Sequence, residues 1–146
     1  MVVIAKDLVA KDEAKIRVRV RFPLSLPMGT KKQPNKKFHL NKNVERNAHF
    51  QVLNKAKQMF SDNFIGQVGT NNKPCKNPVV FFLTIYKKTK RSCDIGNYSI
   101  VEKFAADALV KANILEDDNY NHVQGIFYFW GGFAEEDYCL FEVQEL

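Results

Sequence analysis

VVFFLTIYKKTKRSCDIGNYSIVEKFAADALVKANILEDD, residues 79–118, decides how this chain of 146 residues folds. Its opening run, residues 79–86, is apolar almost throughout and rich in β-branched and aromatic types, the pattern of a central strand covered on both faces. Lys87, Lys88, Lys90 and Arg91 follow at once and set positive charge at the strand end, before Asp94. Ile100, Val101, Phe104, Ala105, Ala108, Leu109 and Ala112 then form one broad apolar helix face. Lys103 and Asp107 fall on its polar stripe, at the spacing of an intrahelical ion pair. Asn113 can supply the left-handed residue that stops the helix, ahead of the acidic turn Glu116-Asp117-Asp118. A helix of about 16 residues spans roughly 24 Å. Asp94 at one end therefore meets Asp118 at the other only if the chain folds back.

Upstream, residues 14–22 alternate apolar and basic. Ile16, Val18, Val20 and Phe22 point one way and Lys15, Arg17, Arg19 and Arg21 the other, so the segment reads as a half-buried strand with a basic outer face. Residues 2–5 read as a short edge strand before it. Pro23 and Pro27 end the first strand, and residues 28–43 read as a long, polar, lysine-rich loop, a type that is usually functional or disordered. Residues 44–62 have helical spacing, with Asn43 as cap and Phe50, Leu53, Ala56, Lys57 and Phe60 on one face. Arg46, His49, Lys55 and Gln58 take the other face. Residues 65–78, with their glycines, prolines and Asn-Asn pair, read as a loop.

Downstream, residues 122–130 and 138–144 alternate with period two, and the linker Gly131–Asp137 suits a hairpin. The order is strand, loop, helix, strand, helix, strand, strand. This predicts a single domain over residues 1–146 of α/β (α+β) type, a mixed four- to five-stranded sheet with two main helices packed on one face.

Composition narrows the function class. With 45% hydrophobic and 26% charged residues the chain is globular rather than disordered, and no apolar run reaches membrane-helix length. The start lacks a signal peptide's pattern, so an intracellular protein is expected. Cys75, Cys93 and Cys139 are odd in number and widely spread, as idle thiols in a reducing compartment would be. A net charge of +6 and a pI near 9.2 favour a polyanionic partner. Lys31, Lys32, Lys36, Lys37, Lys42 and Arg46 crowd one segment, in which Phe38 and His39 add rings that can stack on bases. Acidic residues crowd the C-terminus.

No nucleophile elbow, phosphate-cradling glycine loop or His-Glu-x-x-His is present, which leaves no signature for a nucleotide cofactor. Phosphodiester hydrolysis asks for carboxylates on a hard divalent cation, and Asp94 and Asp118 could supply them, with Asp117, Glu116 and Asp107 in reserve. The bland alternative is that Asp94 sits near a helix N-terminus and that Glu116–Asp118 is a solvated turn.

The run Asp94-Ile-Gly-Asn97, then Glu102-Lys103-Phe104, Asp107-Ala-Leu109, Lys111-Ala112 and Asp117-Asp118, resembles the core of RusA-type Holliday-junction resolvases of phage and prophage origin. The family pattern is Asp-x-Asp-Asn, a helix with Lys and Asp-Ala-Leu, and a terminal Asp-Asp. The resemblance implies a homodimeric endonuclease in the cytoplasm of a bacterial host, dependent on Mg²⁺ or Mn²⁺, that nicks four-way DNA junctions during recombination and repair. Asp94 then matches the first essential carboxylate, Asp118 the last and Lys103 the helix lysine beside the site. Asp117 and Asp107 match further acidic positions. Lys31, Lys32, Lys36, Lys37, Lys42, Asn43 and Arg46 become DNA contacts, as do Lys88, Lys90 and Arg91.

This sequence departs from the pattern in two places. Gly96 stands where the second aspartate is expected, and a few extra residues separate Asn97 from Lys103. Loss of one carboxylate lowers metal affinity, so a second expectation is a DNA-binding protein on the same fold with weak or no cleavage. A third is a protein-binding regulator that uses the acidic C-terminal end.

Overall fold

The computed structural model describes residues 11–146, and the strand expected at residues 2–5 lies outside them. Along the chain come β1 (Ile16–Pro23), β2 (Ser25–Pro27), β3 (Lys37–His39), α1 (Lys42–Asn47), α2 (Phe50–Val68), β4 (Val79–Lys87), α3 (Ser99–Lys111), β5 (Val123–Phe133) and β6 (Tyr138–Glu145), with 3₁₀ turns at Glu13–Lys15 and Ile95–Tyr98. The main sheet has the order β1-β6-β4-β5, and β2 pairs with β3 in a small sheet of its own. β4 and β5 run parallel, which requires a crossover, and α3 supplies it. The expected mixed α+β sheet in one domain is what forms.

The alternation in β1 buries Val18, Val20 and Phe22 and exposes Arg17, Arg19 and Arg21. β4 is buried from Val79 to Ile85 on both faces, as its apolar run requires. On the helix side, Phe22, Phe60 and Phe64 interlock with Phe81 and Phe141: the Phe22 and Phe60 ring centroids are 4.2 Å apart, those of Phe81 and Phe141 5.1 Å. Truncating any one of these rings would cost about 3–5 kcal/mol. Asn113 has φ 62 and ends α3 as expected.

Four expectations need correction. The last two strands do not form a hairpin: β6 inserts between β1 and β4, antiparallel to both, and β5 lies on the far side of β4. The reason is visible in β6, where Cys139, Phe141 and Val143 are buried on one face and Glu142 and Gln144 on the other. A strand covered on both faces is the pattern of a sheet's interior rather than of its edge.

The segment 28–43 is no open loop. Met28 N–H donates to the Lys36 carbonyl at 3.1 Å, and β3 within it pairs with β2. A side chain at Gly29 would lie 2.1 Å from the Pro34 carbonyl oxygen, so only glycine closes this turn.

The helix expected at 44–62 is two helices. Ala48 and His49 are extended between them, and His49 Nδ1 accepts from Gln51 N–H as the cap of α2. The cap of α1 is Asn41, not Asn43. α2 continues to Val68 and buries Ala56, Phe60, Ser61 and Phe64, which leaves Phe50 exposed.

Lys103 and Asp107 do not pair with each other. Lys103 Nζ reaches Glu45 of α1 at 3.3 Å, and Asp107 binds Lys57 of α2 at 2.6 Å.

Candidate functional site

The polar stripe of α3 borders an open depression of about 320 Å³. Glu102, Lys103, Ala106 and Asp107 form its α3 wall, Asp118 closes it from the acidic turn, and Phe81, Val123 and Ile126 make an apolar floor. The α3 residues reach it together because helix positions three and four apart share a side. Asp118 reaches it because it lies on the connection that returns the chain from α3 to the start of β5 beside β4. Three expected site residues, Lys103, Asp107 and Asp118, therefore share one concavity.

Their carboxylates are not equally free. Asp107 is held by Lys57. Glu102 accepts the Tyr128 hydroxyl at 2.7 Å, which pins β5 to α3. Burial, reinforced by that bond to Glu102, pushes the Tyr128 phenol well above its ordinary value, so it stays a donor. Asp117 turns inward on its own loop, where its carboxylate accepts the Asp118 N–H at 2.7 Å and the Asn119 amide at 2.9 Å. The Asp118 carboxylate has no hydrogen-bonding or ionic partner among the described residues and faces the depression unneutralised.

Asp94 does not border this depression. It precedes the 3₁₀ turn Ile95–Tyr98 at the opening of α3, is exposed, and caps the turn through its carbonyl, which accepts the Asn97 N–H at 3.0 Å. Among the described residues no group of three or more His, Cys, Asp or Glu side chains converges closely enough to hold a metal ion. The donors are the oxygens Mg²⁺ or Mn²⁺ would take, but in this arrangement Asp94, Asp107, Asp117 and Asp118 do not form a ligand set.

The basic residues fall into adjoining hollows. Lys42 and Arg46 of α1 share one with Lys103, Glu45 and Ser99, so Lys103 stands on the border between this basic hollow and the acidic depression. Lys36, Lys37 and Asn43 rim a second hollow of about 560 Å³ floored by Met28, Phe38, Val44 and Val52. Lys31 and Lys32 are exposed on the turn between β2 and β3.

At the end of β4, Lys37, His39, Lys87, Tyr98 and Asp137 border a third hollow, which joins the basic segment near residue 37 to the one after β4. Lys87 Nζ binds Asp137 at 3.0 Å, and the Asp137 carboxylate also accepts the Lys88 N–H at 2.6 Å. Burial works against the charged form of Asp137, but these bonds outweigh it and hold the carboxyl below its ordinary value. Lys88, Lys90 and Arg91 follow this anchor and are exposed.

Sequence reading missed Glu45, Lys57, Glu102 and Tyr128 as partners in this site. Tyr128 alone carried a signal, a hydroxyl within the aromatic run of residues 126–130, which when buried finds a polar partner. The pairs of Glu45 and Lys57 depend on how the helices pack, which spacing does not encode. No helix among the described residues is long and apolar enough to cross a membrane. Neither the protein-family models nor the curated proteins contain a match to this sequence.

Proposed function

We propose that the protein is a structure-selective endonuclease that acts on four-way DNA junctions, as its resemblance to RusA-type resolvases implies. The observation that carries this reading is the position of Lys103, shared between the basic hollow of Lys42 and Arg46 and the depression that holds Asp107 and Asp118. A phosphate backbone bound by the cations would pass beside the carboxylates. The basic surface from Lys31 to Arg46, together with Lys88, Lys90 and Arg91, takes the junction arms, for phosphate contacts supply most non-specific affinity. Mg²⁺ or Mn²⁺, when bound, would supply charge stabilisation at the attacked phosphate. The chain's own contribution is to bind the backbone at Lys42, Arg46 and Lys103 and to present the unneutralised Asp118.

The test is cleavage of a synthetic four-way junction across Mg²⁺ and Mn²⁺ titrations, with Asp118→Asn alongside. Loss of nicking with retained junction binding is expected for that variant. Undiminished cutting by Asp118→Asn would remove the depression from the mechanism.

A second reading, junction binding with weak or no cleavage, is favoured by Gly96 and by the position of Asp94 outside the depression. Its outcome is salt-sensitive binding without nicking at any metal concentration.

A further inference from the structure

Trp130 and Phe133 are three residues apart in β5, so on an unbroken strand they would face opposite sides of the sheet. They do not. The register with β4 slips by one between the pairs Ile85–Trp130 and Tyr86–Gly132, which makes Gly131 an extra residue and returns Phe133, paired with Lys87, to the side that Trp130 faces. Only glycines allow this bulge. A side chain at Gly131 would stand 2.6 Å from the Tyr86 ring, and Gly132 has φ 114. The two rings lie edge to face with centroids 5.4 Å apart, yet Trp130 is 46% exposed and Phe133 58%. Neither belongs to the buried core.

We infer that this aromatic pair is a stacking platform for the unpaired bases of single-stranded DNA. Charge at this end of the sheet selects that occupant. Lys88, Lys90 and Arg91 follow Lys87, the register partner of Phe133, and are exposed without an ion-pair partner among the described residues. Of the carboxylates that follow Phe133, Glu136 pairs with Arg21 at 3.6 Å and Asp137 with Lys87 at 3.0 Å, which leaves Glu135 against three free cations. Exposed rings take the flat face of any unpaired base, and cations take its phosphate. Bases within a duplex already stack on one another and offer no such face. The platform also lies on the side of β5 that borders the acidic depression: Ile126 floors the depression, Tyr128 bonds Glu102, and Trp130 continues the same alternation roughly 13 Å beyond Ile126. A backbone that passes Asp118 can therefore lay unpaired bases on the rings where a branch opens. That link to the branch rests on the proposed nuclease reading, while the stacking itself does not require cleavage.

Trp130 is the chain's single tryptophan, so its emission reports stacking directly. The full chain is titrated with oligothymidylate and with a blunt duplex of equal length, divalent metals withheld, while tryptophan emission and the anisotropy of a dye on the DNA are followed together. The expected result is strong quenching of Trp130 by the single strand and little by the duplex. Phe133→Ser, with folding checked by circular dichroism, is expected to weaken single-strand binding by roughly 5- to 100-fold, the range for loss of one stacked base. Phe133→Tyr, which keeps the ring, is expected to bind as wild type does. Absence of single-strand binding, binding that leaves Trp130 emission unaltered, or a folded Phe133→Ser variant that binds as tightly as wild type overturns the platform. Quenching by the single strand in a protein that nicks no junction at any metal concentration upholds the platform and overturns only the nuclease reading.

Discussion

The Asp107 carboxylate lies 2.6 Å from Lys57 Nζ, so this α3 residue is tied to α2 and not to Lys103 on its own helix. Both side chains are more than a third exposed, and an ion pair of this kind is worth at most about 1 kcal/mol. Lys57→Met should therefore lower stability by less than about 1 kcal/mol in chemical denaturation. It should also free Asp107 toward the depression and strengthen Mn²⁺ binding, read by calorimetric titration. Unchanged Mn²⁺ affinity would show that Asp107 serves only to hold two helices together.

A second expectation concerns Glu142, buried between β1 and β4. Its carboxylate accepts from Lys11 and from Arg19 Nε, the latter at 2.9 Å, and Arg19 also grips Glu13. Burial alone would raise the Glu142 carboxyl, but the bonds from Lys11 and Arg19 outweigh it and hold it below the ordinary value of 4.5. A depressed carboxyl contributes stability that is fully present above the ordinary value and is lost as pH falls through the lower folded one. Asp137 acts in the same direction. Thermal denaturation should thus show a plateau above about pH 5 and a decline below it. Glu142→Gln should cost roughly 2 kcal/mol at neutral pH and flatten that decline. A variant that loses stability in acid as steeply as wild type would place the effect elsewhere.

How much of this was legible in the residues differs by element. β4 could be read because a strand covered on both faces is apolar at every position, and β1 because it alternates. The left-handed stop at Asn113 could be read because few residue types tolerate that conformation. The place of β6 could not, since period two is the same whether a strand pairs with its sequence neighbour or inserts between two others. The clue was Glu142: an acidic residue amid apolar ones looks like a solvent face, yet it is buried with basic partners from β1 and residue 11. For the site, the α3 motif placed Lys103, Asp107 and Asp118 together, but the ion pairs that occupy Lys103 and Asp107 arise from helix packing.

The three thiols should separate by reactivity. Cys139 is fully buried in β6, and that burial pushes its thiol up to about 12. Cys75 is half-buried, and burial together with nearby Glu145 raises it as well, while Cys93 is partly exposed. Because the thiolate is the reacting form, a disulfide reagent on native protein should modify Cys93 first, Cys75 more slowly and Cys139 only on unfolding. Peptide mapping after timed quenching checks the order. Early labelling of Cys139 would mean that β6 opens locally.

The basic surface should show itself in salt dependence before it shows in affinity. Each lysine that neutralises a phosphate adds about 0.9 to the slope of log K against log salt. Lys36→Ala combined with Lys37→Ala should therefore lower the slope for junction binding by about 2. Exposed lysines contribute little to the core, so stability should hold. An unaltered slope would remove the hollow between the β2–β3 hairpin and α1 from the proposed DNA path.

Gly96 is where the proposed nuclease activity is most open to change. A side chain there would meet nothing within 4 Å, and its backbone is not in the left-handed region, so Gly96→Asp is accommodated without strain. Replacing glycine in an ordinary conformation restricts the unfolded chain and should stabilise by up to about 1 kcal/mol. The new carboxylate stands two residues from Asp94 in the 3₁₀ turn before α3, and it restores the Asp-x-Asp-Asn pattern. Two carboxylates on one turn bind a hard divalent cation better than one. Junction nicking should then rise above wild type at limiting Mg²⁺, and the metal concentration for half-maximal rate should fall. If cleavage rises in Gly96→Asp and vanishes again when Asp118→Asn is added, the turn and the depression act in one site. A rise that survives Asp118→Asn would instead locate catalysis at the turn alone, and no rise at all would favour the binding-only reading.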